Sequence, residues 1–381
     1  MLSNFGRADG GRETWAYNFL PALLERYPRL RLNIYGLRVD GEPDNEATLV
    51  EALSPPDRPR ISIDFVRASA NRVPNALPFW SGLRRKVRQD SPGFVLGVGS
   101  FVELLAILLS PVLRRAPKIL WLRSIFVDEK AHRIPPVARP LARWVENAVL
   151  RRADLLIANG EDTAAQYRAR GFDVTVIPNA IDLARWKMPP PRLEHPLRVA
   201  FIGRLAQVKG IDEFLEVARL EAQDQARFTF HIVGDGPAKA EVLRAQGKGL
   251  VRYHGPLPNE SVPDFLRNMD VCVALTFAGS DLARGSGGAG VSNSLLEQMG
   301  AGRVLVCWDN PAFRQVLDDQ SAYLVHQGDV VALREAFARI VDDPEGAASR
   351  ARKAEALAQN YSLEAHMNLF AAAADRWLAR R

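Results

Sequence analysis

The sequence predicts an α/β protein built from two doubly wound, parallel-sheet domains. Three observations carry that expectation. At 381 residues the chain exceeds what a single hydrophobic core usually organises. Short apolar runs alternate with segments of helical spacing over most of its length, the pattern of repeated βα units. The proline-rich stretch "KMPPPRLEHP" (187–196) continues neither helix nor central strand and divides two such series.

In the first series the expected strands are "RLNIYGL", "SIDFVR", "GFVLGVG", "KILWLR", "DLLIANG" and "VTVIP", with helices such as 12–27 and 137–152 between them. A doubly wound domain whose first helix begins near Gly11 should open on a strand, and only "MLSN" is available for it. In the second series "LRVAFIG" suits a strand covered on both faces and is followed by the helically spaced "GIDEFLEVARL". Then "FTFHIVG" precedes a helix from Ala238, "VCVALTFA" precedes one starting near Ser294, and "RVLVCW" follows. The last segment, "SLEAHMNLFAAAADRWLARR", reads as a helix capped by Ser362, with Glu364 in its first turn and Arg376, Arg380 and Arg381 at its end. The expected division is therefore 1–188, a linker at 189–196, a second domain at 197–361, and a closing helix from 362 to 381.

A hydrophobic share of 47% and a charged share of 25% exclude disorder and a fibrous fold. The apolar run from Phe101 to Leu113 is broken by Glu103 and Pro111 and is too short to span a bilayer. The start does not read as a signal peptide, and Cys272 and Cys307 sit in apolar runs as reduced core residues, so a cytoplasmic protein is expected, at most peripheral at the inner membrane face. The net charge of +6 is unevenly placed: residues 1–188 hold 28 basic against 20 acidic side chains, and 84–152 hold 14 against 5. Such an excess is either a solvated arginine-rich surface or a surface for something anionic. Nucleic acid is not the expected partner, since no recognition motif accompanies the charge.

Candidate chemistry sits in the turns after strands. In "FIGRLAQVKG" (201–210), Arg204 and Lys209 flank a loop at a strand's carboxyl end, where Gly203 ends the strand and a helix begins near Gly210. Two cations beside a helix start suit a phosphate or diphosphate, though ordinary loop charges are an equal reading. "VGDGP", with Gly234, permits close backbone approach to a ligand but lacks a dinucleotide fingerprint, and a tight turn explains it as well. In "GAGVSNSLLEQMGAG" (288–302), Ser294 and Glu297 form S-x-x-E, which taken alone is best read as a capping box. The other reading has amides near Val291 to Ser294 facing a phosphate and Glu297 taking sugar hydroxyls. "DGGRETW" places Gly10 and Gly11 at a helix start in the first series. His132 follows "KILWLR" as a loop histidine; no histidine or cysteine spacing points to a metal, and no nucleophile elbow occurs.

In order, "GGRETWAYNFLPALLER", "VIPNAIDLARW", "FIGRLAQVKGIDEFLEVARL", "FHIVGDGP", "VSNSLLEQMGAG" and the final helix resemble the retaining glycosyltransferases of family 4, through essentially the whole chain. The resemblance implies the GT-B fold, two Rossmann-like domains facing a cleft, and a nucleoside-diphosphate sugar as donor. It implies that Arg204 and Lys209 bind the diphosphate and assist its departure, and that Glu297 grips the ribose. Gly290, Val291, Ser292, Asn293 and Ser294 would receive phosphate and donor sugar, with Gly10 and Gly11 approaching from the first domain. No cofactor or metal is implied.

Two departures stand out. The first acid of the family's E-x7-E pair falls at Ala289, so its sugar contact is either lost or replaced, Asp281 of the preceding loop being the candidate, and Arg123 stands where many relatives have a histidine. The expected acceptor is a saccharide or a lipid-linked sugar, in surface polysaccharide or glycolipid synthesis, with Arg123, His132 and Asp281 as candidate sugar or acceptor contacts. The basic first half, with Phe79, Trp80, Phe101, Trp121, Phe126 and Trp144, and with Val137, Leu141, Trp144 and Val145 near one helical face, offers a peripheral contact with anionic membrane; core packing is the competing reading for most of these residues. Rival functions are a same-fold phosphorylase or epimerase and a nucleotide-sugar-binding protein impaired through Ala289.

Overall fold

A computed structural model describes residues 11–39, 46–51, 53–68, 76–90, 92–98, 107–108, 110–113, 116–122, 127, 134–222, 227–278 and 291–378. The chain divides into two compact units, Met1–Asn179 with His366–Arg381, and Ala180–Ala365.

In the first unit, helix α1 (Gly11–Arg26) leads into β1 (Leu32–Val39), α2 (Glu46–Glu51), β2 (Ile61–Ala68), α3 (Ala76–Asp90) and β3 (Val95–Val98). Then follow β4 (Lys118–Leu122), α4 (Arg139–Leu150), β5 (Leu155–Ala158), α5 (Glu161–Arg168) and β6 (Val174–Val176). Strands β1 and β2 pair in parallel, and β3–β4–β5–β6 form a parallel ladder. All six strands fall where apolar runs predicted them. The expected opening strand, "MLSN", lies outside the described residues.

The core of this unit gathers on Trp121 of β4. Trp15 and Phe19 of α1 meet its ring edge-on, with centroids 5.0 and 5.4 Å away. The last helix, α13 (Leu363–Leu378), lays His366 and Phe370 against the same ring, stacked at 5.4 and 6.0 Å. His366 also places Nδ1 2.7 Å from the Pro178 carbonyl. Aromatic burial on this scale accounts for a terminal helix that packs with strands remote in sequence.

The second unit runs α6 (Leu183–Trp186), β7 (Leu197–Ile202), α7 (Ile211–Glu221), β8 (Phe228–Val233), α8 (Lys239–Gly247), β9 (Arg252–Tyr253), α9 (Val262–Arg267) and β10 (Val271–Ala274). It continues with α10 (Asn293–Gly300), β11 (Val304–Asp309), β12 (Tyr323–His326), α11 (Val330–Asp342) and α12 (Pro344–Ala358). Its six strands pair in parallel in the order β12-β11-β10-β7-β8-β9. Strands β7, β8, β10 and β11 are largely buried on both faces, as their near-continuous apolar runs require. Cys272 and Cys307 lie buried and free on neighbouring strands, and burial pushes the Cys272 thiol up to about 12.

The unit boundary departs from the expected one. Residues 180–188 belong to the second unit, because Ile181 and Trp186 are buried in its core. The proline-rich stretch is likewise fastened to that unit rather than forming a separate linker. Buried Arg303 donates Nη1 to the Met269 carbonyl at 3.0 Å and Nη2 to the Pro189 carbonyl, while Leu193 N–H donates to Asp270 Oδ1 at 3.4 Å. Proline excludes helix and central strand, but its carbonyls still accept hydrogen bonds from a buried guanidinium.

Candidate functional site

Strand order fixes where a ligand can bind in the second unit. The first strand, β7, lies between β8 and β10, so chain progression reverses between β7 and β10. In open α/β sheets the crevice at the carboxyl ends of those two strands is the binding position. Arg204 and Lys209 follow β7, Thr276 follows β10, and α10 begins beside them.

Backbone contacts hold this corner together. After β7 a 3-10 turn, Gln207–Lys209, ends at Gly210, which has φ 74° and opens α7. A Cβ at Gly210 would lie 2.4 Å from Leu275 Cβ and 2.6 Å from the Leu275 carbonyl oxygen, so only glycine fits. Phe277 N–H donates to the Val208 carbonyl at 2.9 Å. Arg204 is exposed, whereas Lys209 is half-buried, with Nζ 3.3 Å from Thr276 Oγ1. Burial first, and the Arg204 charge second, hold the Lys209 ammonium below its ordinary pKa. Two cations close enough to depress one of them form a site that favours an anion.

"VGDGP" resolves toward the tight turn. A Cβ at Gly234, where φ is 139°, would fall 1.8 Å from the Gly203 carbonyl oxygen, and Leu205 N–H donates to the Asp235 carbonyl at 2.9 Å. Gly234 is therefore required by the neighbouring loop, whatever else it meets. At Gly203, by contrast, nothing lies within 4 Å of where a Cβ would project.

Helix α10 is capped differently from the S-x-x-E expectation. Ser292, not Ser294, is its N-cap, accepting from Leu295 N–H at 3.3 Å. Ser294 instead donates Oγ to the Ile202 carbonyl at 3.1 Å, tying the helix start to the end of β7, and accepts from Gln298 Nε2 at 3.1 Å. With Ser292 as cap, Glu297 is the fifth helical residue and lies past the position from which a capping box closes. Its carboxylate is buried and accepts from Asn259 Nδ2 at 3.5 Å, a long bond. Burial raises its pKa to about 7, against the opposing effects of Asn259 and the Arg185 charge. Arg185 of α6 donates Nη2 to the Asn259 carbonyl at 3.1 Å. Asn259, in a 3-10 turn, and Arg185, on α6 within the segment "VIPNAIDLARW", thus support Glu297, a partnership that no sequence pattern marks. Among the described residues Asn293 presents a second under-bonded group, since both polar atoms of its side chain are buried and find no hydrogen-bond partner there.

The structure therefore brings Gly203, Arg204, Lys209, Ser292, Asn293, Ser294 and Glu297 to one corner of one unit, with buried Val291 leading into α10. Gly11 is the first residue of α1 in the other unit. Gly10, Arg123, His132, Asp281, Ala289 and Gly290 lie outside the described residues. Among the described residues no three His, Cys, Asp or Glu side chains gather as a metal-holding group, and no helix is long and apolar enough to cross a membrane.

Two parallel-sheet units, one with an anion-favouring corner at the switch point of its sheet, have the architecture of the GT-B class. Family comparisons agree in both halves. The model described as Glycosyltransferase Family 4 matches residues 9–185, and that described as Glycosyl transferases group 1 matches residues 196–343. The chain belongs to this glycosyltransferase family. It is 25% identical over 284 residues to the 2-deoxystreptamine glucosyltransferase of Streptomyces kanamyceticus, covering 68% of this chain and 71% of that protein. It is 31% identical over 186 residues to the phosphatidyl-myo-inositol mannosyltransferase of Mycobacterium leprae, a match spanning 46% of each. Among solved structures, sucrose-phosphate synthase from Thermosynechococcus elongatus superposes with a TM-score of 0.75 at 15% identity, over 100% of this chain and 98% of that one. Anabaena HepE in complex with UDP superposes with a TM-score of 0.70 at 16% identity, over 95% and 96%.

Proposed function

We propose that the protein transfers a sugar, with retention at the anomeric carbon, from a nucleoside-diphosphate sugar to a saccharide or lipid-linked acceptor. The single observation behind the donor assignment is that half-buried Lys209 and exposed Arg204 follow β7 at the switch point where α10, which carries the buried and under-bonded Glu297, is tied to the end of the same strand. The diphosphate lies against the two cations, and Glu297 accepts from the ribose hydroxyls. Asn293, whose amide atoms lack partners among the described residues, contacts the phosphate or donor sugar.

In the reaction the bond from the anomeric carbon to the leaving phosphate oxygen breaks as the acceptor oxygen bonds to that carbon on the same face. The acceptor proton passes to the departing phosphate. Arg204 and Lys209 neutralise charge that develops on that phosphate, which is where fixed positive groups lower a barrier most. Neither a cofactor nor a metal is assigned a step.

A melting-temperature panel with UDP, GDP, ADP and their sugars tests this, because a ligand bound only to the folded state stabilises as RT ln(1 + [L]/Kd). UDP is the natural first member, being the nucleotide in the Anabaena HepE complex. One nucleotide should raise the melting temperature, and Glu297→Ala should abolish most of that rise while altering the unliganded melting temperature little. Flat responses to every nucleotide would overturn the donor assignment.

A further inference from the structure

Helix α4, extended at its start by a 3-10 turn at Pro136–Ala138, has two unlike faces. Its inner face is fixed. Glu146 is fully buried and accepts from Tyr167 Oη at 2.8 Å and Arg170 Nη2 at 2.7 Å, while Arg170 Nε donates to Asn147 Oδ1 at 2.8 Å. Val149 and Leu150 are buried in a cluster with Leu120, Leu156 and Val174, and Val145 packs against it. Val145 therefore belongs to the core and not to the outer row.

The outer face carries Val137, Leu141 and Trp144, which are 90%, 64% and 65% exposed. Spacings of four and three place them on one stripe. Single exposed apolar residues are ordinary, and among the described residues the other large ones, Leu243, Val331 and Leu369, stand on three different helices. A contiguous row containing a tryptophan is different. Arg143, Arg151 and Arg152 are exposed around it, Arg139 is half-buried, and the one acid between 137 and 152, Glu146, points inward against Arg170. The outer surface of the helix thus combines apolar and cationic groups with no acidic side chain of its own.

We infer that α4 seats the first unit on an anionic lipid surface, with Val137, Leu141 and Trp144 in the headgroup boundary and the arginines on lipid phosphates. Helices of this composition lie in the interface plane, and tryptophan favours that depth. A second copy of the chain is disfavoured as the occupant, because pairing two such faces would bring the two arginine sets together. The inference is independent of the donor assignment, whose residues belong to the other unit.

The test is flotation of the full-length chain with vesicles of phosphatidylcholine alone or mixed with phosphatidylglycerol. The chain should float with the anionic vesicles, with the neutral ones far less, and less as salt rises. Leu141→Ser with Trp144→Ser should weaken anionic-vesicle binding about tenfold or more. Arg151→Gln with Arg152→Gln, which leaves the apolar row intact, should weaken it severalfold. Both variants should keep the wild-type melting temperature. Failure of the wild-type chain to float, or variants that both float as well as the wild type, would overturn the inference. So would a wild-type dimer that becomes monomeric on serine substitution, since a second copy would then cover the row. Nucleotide-dependent melting is read separately and is unaffected by any of these outcomes.

Discussion

The two ends of the second unit's sheet hold buried charge in opposite ways. At the amino ends of the strands, Asp270 is fully buried and accepts from Arg198 N–H, Nε and Nη2 at 2.9, 2.8 and 2.9 Å, and from Leu193 N–H. Burial alone would raise its carboxyl, yet the bonds from Arg198 hold it below the ordinary aspartate range. Arg303 beside it spends its donors on three carbonyls, those of Ala301, Met269 and Pro189. At the carboxyl ends, among the described residues, Lys209 has one long bond to a hydroxyl, Glu297 one long bond to an amide, and Asn293 none. One end is saturated and rigidifies the fold, while the other leaves its polar groups under-bonded.

The largest effect should come from the unsaturated end, and on rate. Arg204→Ala and Lys209→Ala should each lower kcat about a hundredfold to a thousandfold in a sugar-transfer assay, with little change in the unliganded melting temperature. Global unfolding by Lys209→Ala would erase the contrast. At the saturated end, Asp270→Ala leaves Arg198 and Leu193 N–H without their acceptor, and denaturant unfolding should report a loss of about 3–5 kcal/mol. Nucleotide affinity of the folded fraction should stay unchanged.

The third effect is a pH dependence. The folded pKa of Glu297 is raised from 4.5 to about 7, so the folded state holds a proton that the unfolded state has released. Stability is therefore fully present below 4.5 and falls as pH rises toward 7. Glu297→Gln should flatten that part of the stability profile, as measured by melting against pH. Ribose hydroxyls favour the carboxylate, so nucleotide affinity should rise through the same range in the native chain and not in the variant.

Much of this was legible in the sequence. Strands buried on both faces announce themselves as apolar runs, and the loop after β7 sits where alternation places it. "YLVH" was too short and mixed to register as β12, and no β partner was assigned to "RY" at β9. The closing helix was readable from its cap and apolar spacing, although its aromatic partners were not. What composition could not convey was partnership. Prolines marked a break at 187–196, but the break is bound to one unit by Arg303 and Asp270, which lie far along the chain. S-x-x-E matched a capping box on paper, yet Ser292 took the cap and freed Ser294 for Ile202. Arg185 and Asn259 reach Glu297 only through the fold.

The segment Leu275–Ala278 is fastened from several directions. Gly210 packs on Leu275, Asn310 Nδ2 donates to the Thr276 carbonyl at 3.0 Å, Phe277 binds Val208, and Ala278 N–H donates to Gln327 Oε1 at 2.7 Å. Ser292 and Ser294 fasten the chain again on resumption at α10. Between these anchors lie residues 279–290, which include Asp281 and Ala289. Whatever sequence occupies that stretch, its two ends are held at fixed points, Ala278 on Gln327 and Ser292 at the cap of α10.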